Sequence, residues 1–246
     1  MTHIASRTVG ILAGMGPAAG ADFARLFVLA CEDWLRAHGH AVVDQAYPAH
    51  WMAQLPIADR TRALADPQAP QPLAALAQGL AQLAGLGARA VAMPCNTAHA
   101  WHAALQRQVP QVELLHMPQE TAAELRRRGL DRVALLATEG SYRIGLYEQA
   151  FAAQGIACVL PGEAARQWLM EGIYGGVKAG DLVLAQQRFV QAGAQLRAQH
   201  GDIALAMACT EIPLALPQAP EAQGWTLVDP TAILAASLAR RAYADS

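Results

Sequence analysis

Positive charge is scarce in the sequence, which contains a single lysine, Lys178. Its 18 Lys plus Arg are outnumbered by 20 Asp plus Glu, and the formal net charge is −2. Long basic runs are absent as well, so the chain lacks the cationic surface that binds nucleic acid or an anionic membrane. We therefore expect no nucleic-acid partner and no membrane partner.

Long apolar stretches and cysteine-rich motifs are also missing. Gly, Pro or a charged residue interrupts each apolar stretch short of the roughly 20 residues of a membrane span. Segment 1–14 lacks the charged region and long apolar region of a signal peptide. The four cysteines show no C-x-x-C spacing. The sequence thus predicts a cytoplasmic protein with reduced thiols and no metal site.

Apolar residues are abundant, at 54% of 246 residues, and they are organised in short runs between longer alanine-rich amphipathic segments. This alternation is typical of β-α-β units and predicts an α/β fold with a parallel sheet. The predicted strands are 8–13, 41–46, 88–93, 111–116, 132–137, 156–161, 203–208 and 225–229. The predicted helices are 18–37, 72–86, 97–107, 118–128, 142–154, 180–199 and 231–243.

Two pairs of segments repeat in the same order along the chain. "GARAVAMPC" (87–95) aligns with "GDIALAMAC" (201–209), and "VGILAGMG" (9–16) aligns with "VALLATEG" (133–140). The repeat predicts two pseudo-symmetric lobes, each a mostly parallel sheet flanked by helices. Open α/β sheets bind ligands at the strand C-termini, so we expect the active site in the cleft between the lobes. The expected first lobe is 1–114 plus 222–246, and the second is 115–221.

The repeat places one cysteine in each lobe, Cys95 and Cys209, at the end of a predicted strand. Polar residues that start helices follow each of them: Asn96 and Thr97, and Thr210 and Glu211. The partial positive charge of a helix start lowers the pKa of a thiol from roughly 8.5 and favours the thiolate. Cys31 and Cys158 lie within apolar segments, which is typical of buried structural cysteines.

A pair of equivalent thiols on opposite sides of one substrate has a specific chemical use. To invert a stereocentre that carries an acidic hydrogen, one base removes the proton and one acid returns it from the other side. A redox disulfide is the alternative, although redox pairs more often lie close in sequence as C-x-x-C.

The motifs resemble those of the aspartate/glutamate racemase family in the family's order. They are "GILAGMGP", "MPCNTAH", "LLATEG", "GIYGGVKAGD", "ACTEIPL" and "LVDPT". The resemblance implies a two-lobed α/β fold, a homodimer, and racemisation of a dicarboxylic amino acid without pyridoxal phosphate, metal or nucleotide. It also implies that Cys95 and Cys209 are the two catalytic bases, and that Arg60 and Lys178 bind substrate carboxylates.

Other candidate substrate-binding residues surround these motifs. The N–H groups near Met15 and Gly16 are expected to meet a carboxylate at a helix N-terminus. Gly14, Gly16 and Gly20 are spaced G-x-G-x-x-x-G, which is not the Rossmann spacing. Three polar residues beside the cysteines are expected to bind the carboxylate as well as to cap helices: Asn96, Thr97 and Thr210. Thr138 and Ser141 are expected to complete the anion site.

Four further residues or segments leave questions open. Glu211 either lies near Cys209 and raises its thiol pKa, or caps its helix. His99, four residues after Cys95, either forms a hydrogen bond near the site or is a structural histidine. Gly20 replaces the threonine that is common in the family, and segment 47–58 departs from the usual shorter one.

Two other functions remain open from the sequence. One is an isomerase or decarboxylase of another small diacid, such as maleate or a malonate. The other is a non-catalytic protein that binds a small molecule between two α/β lobes, although this gives no reason for paired cysteines.

Overall fold

A computed structural model describes residues 6–244, which form two compact units. The first unit extends to Glu120 and resumes at Thr231, and the second unit is Thr121–Pro230. Each unit contains a four-stranded sheet in which every described pair of strands is parallel. The predicted α/β fold, with one parallel sheet flanked by helices in each of two similar units, is confirmed.

The two sheets have the same strand order, which confirms the internal repeat. The first is ordered β2-β1-β3-β4 and the second β6-β5-β7-β8. The strands are β1 (Val9–Ala13), β2 (His50–Gln54), β3 (Ala90–Ala92), β4 (Glu113–Leu114), β5 (Arg132–Ala137), β6 (Ala157–Val159), β7 (Ala204–Ala208) and β8 (Leu227–Val228). Both repeated cysteine segments therefore contain a central strand, β3 in the first sheet and β7 in the second.

Helices connect the strands, as expected for parallel sheets. They are α1 (Pro17–Ala37), α2 (Arg60–Ala65), α3 (Leu73–Gly85), α4 (His102–Gln108), α5 (Met117–Arg127), α6 (Glu139–Ile144), α7 (Leu146–Ala153), α8 (Glu163–Glu171), α9 (Leu182–His200) and α10 (Pro230–Ala242). Short 3-10 helices include Thr97–Trp101, Val177–Ala179 and Ile212–Leu214, and a π-helix spans Gly172–Gly176. None of the helices within residues 6–244 is long and apolar enough to cross a membrane.

The first sheet has an apolar core on each face because side chains alternate along a strand. Ile11 of β1 packs with Phe23 of α1 and Leu238 of α10, whereas Leu12 packs on the other face with Leu80 of α3. Burying one such side chain stabilises the fold by roughly 1.5–3 kcal/mol. These two layers fix the carboxyl ends of β1 and β3, which lead into the site.

One predicted strand is wrong and two helices were not predicted. Residues 41–46 form no strand but end in a 3-10 helix at Asp44–Ala46, and the edge strand is instead β2. Val43 is 46% exposed, so the apolar run that suggested a strand is not buried. The short helices α2 and α8 were absent from the prediction.

The boundaries of the units differ from the expected lobes, 1–114 plus 222–246 and 115–221. Leu115 and Met117 pack in the core of the first unit, which extends it to Glu120. Strand β8 pairs with β7, so the chain around it belongs to the second unit. Residues 1–5 and 245–246 of the expected first lobe lie outside the described residues.

Candidate active site

Cys95 lies at a sharp turn just beyond β3, which ends at Ala92. Its side chain is buried, and its backbone N–H donates to the carbonyl of Met93 at 2.8 Å, which closes a three-residue turn around Pro94. A 3-10 helix then begins, in which Ala98 N–H donates to the Cys95 carbonyl at 3.2 Å. The turn ends the path of the chain along the sheet and places the thiol beyond the carboxyl end of β3.

Cys209 occupies the equivalent position in the second unit. It directly follows β7, which ends at Ala208, and it is buried. Ile212 N–H donates to the Cys209 carbonyl at 3.0 Å, and a 3-10 helix follows at Ile212–Leu214. Each unit thus presents one buried cysteine between a central strand and a 3-10 turn.

Neither cysteine is followed directly by an α-helix, contrary to the sequence prediction. The predicted helix 97–107 begins as a 3-10 helix, and α4 starts only at His102. The side chains of Asn96 and Glu211 do not cap the 3-10 helices that follow them. A single 3-10 turn aligns few peptide dipoles, so it supplies little of the positive charge expected from a long helix.

Glu211 instead contacts three functional groups of the second unit. The Cys209 thiol donates to Glu211 Oε2 at 2.9 Å, and the Thr210 hydroxyl donates to the same oxygen at 3.3 Å. The other carboxylate oxygen, Oε1, pairs with Lys178 Nζ at 2.6 Å. The structure therefore brings together Lys178, Cys209, Thr210 and Glu211, all predicted from the sequence as site residues.

The surroundings of Cys209 raise the pKa of its thiol well above the ordinary value. Burial is the largest cause, and the negative charge of Glu211 with its hydrogen bond to the thiol adds to it. Lys178 opposes the shift only in part. The expected lowering of the pKa is therefore wrong for Cys209, whereas the expected effect of Glu211 on this pKa is confirmed. Cys209 is a protonated thiol near neutral pH.

The glycine loop and Arg60 lie together in the first unit. Arg60 Nη2 donates to the Met15 carbonyl at 3.1 Å, and Nη1 donates to the carbonyls of Ile57 and Ala58 at 3.2 and 3.0 Å. Gly16 precedes Pro17, the first residue of the long helix α1, as the anion-site prediction required. The guanidinium of Arg60 thus connects the segment before α2 to the loop after β1.

Thr138 and Ser141 form a polar pair at the end of β5. Thr138 caps α6, since its Oγ1 accepts from Ser141 N–H at 3.2 Å, and the two hydroxyl oxygens lie 3.1 Å apart. The register of β5 and β7 pairs Ala137 with Ala208. Thr138 and Cys209 are consequently the next residues along two adjacent strands, so both lie at the carboxyl ends of these strands.

Tyr142, which was not among the predicted site residues, fixes the end of β5 through its hydroxyl. The oxygen accepts from Ala137 N–H at 2.8 Å and donates to the Leu135 carbonyl at 3.0 Å, which fixes the end of β5 before Thr138. No sequence signal points to this contact, because it depends on the turn into α6. Among the described residues, no group of three or more His, Cys, Asp and Glu side chains is placed to hold a metal ion.

Comparison with known proteins gives a consistent result. The family model described as Asp/Glu/Hydantoin racemase matches residues 12–238. The broad specificity amino-acid racemase RacX of Bacillus subtilis (strain 168) is 25% identical over 211 residues, covering 83% of this chain and 85% of RacX.

Solved structures agree with the family match. The aspartate racemase of Picrophilus torridus is 27% identical with a TM-score of 0.79, covering 94% of this chain and 92% of that one. An aspartate racemase homologue from Pyrococcus horikoshii OT3, 21% identical with a TM-score of 0.72 over 94% of this chain and 97% of that one, shares the fold. These matches confirm the resemblance that the motifs indicated and support an isomerase of the amino-acid racemase class. The chain belongs to the Asp/Glu/Hydantoin racemase family.

Proposed function

We propose that this protein interconverts the enantiomers of an acidic amino acid, aspartate or glutamate, with two cysteines as its bases and without pyridoxal phosphate or a metal. One observation carries the proposal. Cys95 and Cys209 are buried at equivalent positions of two units whose sheets have the same strand order. A mechanism with one nucleophile would need only one such cysteine. Inversion at Cα needs a base on one face of the substrate and an acid on the other, which two cysteines can supply.

The chemistry begins with a thiolate that removes the Cα proton, which leaves a carbanion on the substrate and a neutral thiol on the enzyme. The second cysteine then gives its thiol proton to the opposite face and becomes the thiolate. Burial, together with Glu211, holds Cys209 in the protonated form. We assign Cys209 as the acid of the first turnover and Cys95 as its base. The scheme requires both sulfur atoms to reach one bound substrate.

Cations and hydrogen-bond donors would hold the two carboxylates and offset the developing negative charge. Arg60 and Lys178 take the carboxylates, the former in bidentate geometry. Lys178 now pairs with Glu211, so the substrate carboxylate replaces Glu211 as the partner of this ammonium. The remaining donors are the N–H groups near Met15 and Gly16 and the side chains of Asn96, Thr97, Thr138, Ser141 and Thr210.

The test of the activity is a panel of single enantiomers, each incubated with the protein and analysed by chiral chromatography. We expect D-aspartate from L-aspartate, or D-glutamate from L-glutamate, together with the reverse reactions. The variant with both Cys95→Ala and Cys209→Ala is the control and should form none. If the wild-type protein interconverts no acidic amino acid, the substrate assignment is wrong.

A second candidate is a racemase of neutral amino acids, and one observation favours it. The guanidinium of Arg60 already donates to three backbone carbonyls, and the ammonium of Lys178 is paired with Glu211. A substrate without a side-chain carboxylate would leave one of these interactions in place. The relative RacX, named for broad specificity, makes this class reasonable to include. Faster racemisation of neutral enantiomers in the same panel would favour it.

We also propose a homodimer in the cytoplasm. The edge strand β2 exposes Trp51 at 48% and Met52 at 38% of their surface, and α1 exposes Val28 and Leu29. Such apolar exposure favours association with a second copy. The two-base chemistry requires reduced thiols, which the cytoplasm maintains. Light scattering should give twice the chain mass of 26.1 kDa, and Trp51→Glu should shift the mass toward one chain. A monomeric wild-type protein would contradict the dimer.

A further inference from the structure

His99 is the buried polar residue whose side chain reaches back to the turn that carries Cys95. His99 Nε2 lies 3.2 Å from the carbonyl oxygen of Met93. A carbonyl only accepts hydrogen bonds, so Nε2 carries the hydrogen and donates it. The same carbonyl accepts the N–H of Cys95 at 2.8 Å. One oxygen atom therefore joins the imidazole to the backbone of the cysteine.

The backbone of His99 restrains the same turn from its other end. His99 N–H donates to the Asn96 carbonyl at 3.1 Å, and Ala98 N–H donates to the Cys95 carbonyl at 3.2 Å. Pro94, whose ring fixes φ, lies in the middle of the turn. The segment from Met93 to His99 is thus closed on itself through both the backbone and one imidazole, with Cys95 inside the closed loop.

Burial lowers the pKa of this imidazole, and the hydrogen bond to the Met93 carbonyl fixes its tautomer. His99 is 2% exposed, and its ring lies 5.2 Å from that of His116 and 5.8 Å from that of His102. Within the described chain, the Nδ1 atom has no hydrogen-bond partner, although it is buried. The side chain of His99 therefore forms its hydrogen bond through Nε2, to the Met93 carbonyl.

From this geometry we infer that His99 is a positioning residue, which holds the Cys95 turn so that the sulfur lies at transfer distance from the substrate Cα. The inference rests on the proposed two-base racemisation. A displacement of about 1 Å lowers the rate of a positioned reaction up to about a hundredfold. Loss of the imidazole donor would therefore slow each proton transfer at Cys95 and leave those at Cys209 unchanged.

Isotope effects distinguish this role from general structural support. The enantiomer that Cys95→Ala no longer exchanges in D2O is the one that Cys95 deprotonates. With that enantiomer deuterated at Cα, His99→Leu should increase the substrate isotope effect on kcat/KM above the wild-type value. With the opposite enantiomer, the effect should fall toward 1, because reprotonation by Cys95 now limits the rate. His99→Gln, which keeps a donor, should restore the wild-type pair of values.

His102 provides the matched control. It belongs to the same histidine cluster, and its Nε2 lies 2.7 Å from the Leu114 carbonyl, away from the cysteine turn. His102→Leu should leave the isotope effects of both enantiomers equal to those of the wild type. If His99→Leu does not fold, His99→Asn carries the test, because its shorter amide does not reach Met93.

Two failures have separate signatures. A wild-type protein that racemises no amino acid overturns the proposed function. A wild-type protein that racemises, together with His99 variants whose two isotope effects change equally or remain unchanged, overturns the positioning role alone.

Discussion

A carboxylate lies within hydrogen-bond distance of the Cys209 sulfur, one of the two proposed bases. Glu211 accepts from the Cys209 thiol at 2.9 Å and pairs with Lys178 at 2.6 Å. A buried thiol beside a negative charge holds its proton, which suits the acid of a two-base reaction better than the base. Burial and Glu211 together therefore favour the protonated form of Cys209, which the proposed scheme uses as its resting state.

Replacement of Glu211 by Gln should lower the pKa of the Cys209 thiol. The substitution removes one of the causes that raise this pKa and leaves the opposing charge of Lys178 nearby. The pH at which Cys209 reaches half of its maximal alkylation rate should then shift downward, as measured by iodoacetamide labelling and peptide mass spectrometry. Glu221→Gln, an exposed residue of the same unit, should cause no shift. An unchanged profile for Glu211→Gln would contradict the electrostatic account.

The sequence predicted the single residues of the candidate site but not their pairings. The repeated segments around Cys95 and Cys209 predicted equivalent positions, because they share a strand and a following turn. The ion pair between Lys178 and Glu211 was not predicted, since the two side chains meet only after the second unit has folded. The bonds of Arg60 to backbone carbonyls were missed because such acceptors leave no sequence signal.

Close packing of helix α1 on the first sheet explains why residue 20 is a glycine. A Cβ atom at Gly20 would lie 2.8 Å from the Cβ of Ala13 in β1 and would also meet the side-chain oxygen of Gln54 in β2. The backbone of α1 therefore approaches the sheet at a distance that only glycine permits. Strands β1 and β2 lead into the loops of the candidate site, so the packing of α1 on these strands helps to position those loops.

Gly20→Ala should destabilise the protein by about 1 kcal/mol, and by no more than about 2 kcal/mol. Overpacking costs roughly 1–3 kcal/mol, and the better helix propensity of alanine returns about 1 kcal/mol. Urea unfolding followed by circular dichroism measures the difference. Gly85→Ala is the control, because Gly85 ends helix α3 and a Cβ atom there would meet no neighbouring group within 4 Å; it should be neutral or stabilising. Equal stability changes for both variants would refute the packing explanation.

Sequence patterns predicted the central strands and the long helices. They did not predict the edge strand β2, whose side chains are mostly exposed. Strands β1, β5 and β7 are fully or almost fully buried and consist of continuous apolar runs. The edge strand β2 is mostly exposed, so its residues carry no such signal. Tertiary pairing with β1, rather than the local sequence, makes it a strand.

Three neutral imidazoles make the stability of the whole chain sensitive to acid. Burial lowers the pKa of His99, His102 and His116, and that of His116 falls from 6.5 to about 4. Below pH 6.5 the His116 side chain takes up a proton in the unfolded chain, whereas in the folded chain it does so only near pH 4. The free energy of unfolding should therefore decrease as the pH falls through this window.

Urea midpoints measured from pH 7 to pH 4.5 test this dependence. The wild-type midpoint should fall with pH more steeply than that of His116→Gln, which has no proton to gain at this position. Parallel curves for the two proteins would show that His116 is not held neutral by the fold.

Two units with one strand order account for the paired cysteines of the complete chain. The repeat in sequence, the shared order of the sheets and the family match over residues 12–238 all support the proposed two-base chemistry. The repeat does not extend to the residues that follow the two cysteines, which differ in charge. Glu211 has no carboxylate counterpart after Cys95, where Thr97 stands at the same offset.

Hydrogen exchange at Cα by the single variants Cys95→Ala and Cys209→Ala tests the two-base claim most directly. Each variant is incubated in D2O with each enantiomer of the substrate, and deuterium incorporation and racemisation are followed by NMR and chiral chromatography. The account predicts that neither variant racemises, that each exchanges one enantiomer only, and that the two variants exchange opposite enantiomers. Racemisation by either variant, or exchange of the same enantiomer by both, would contradict it.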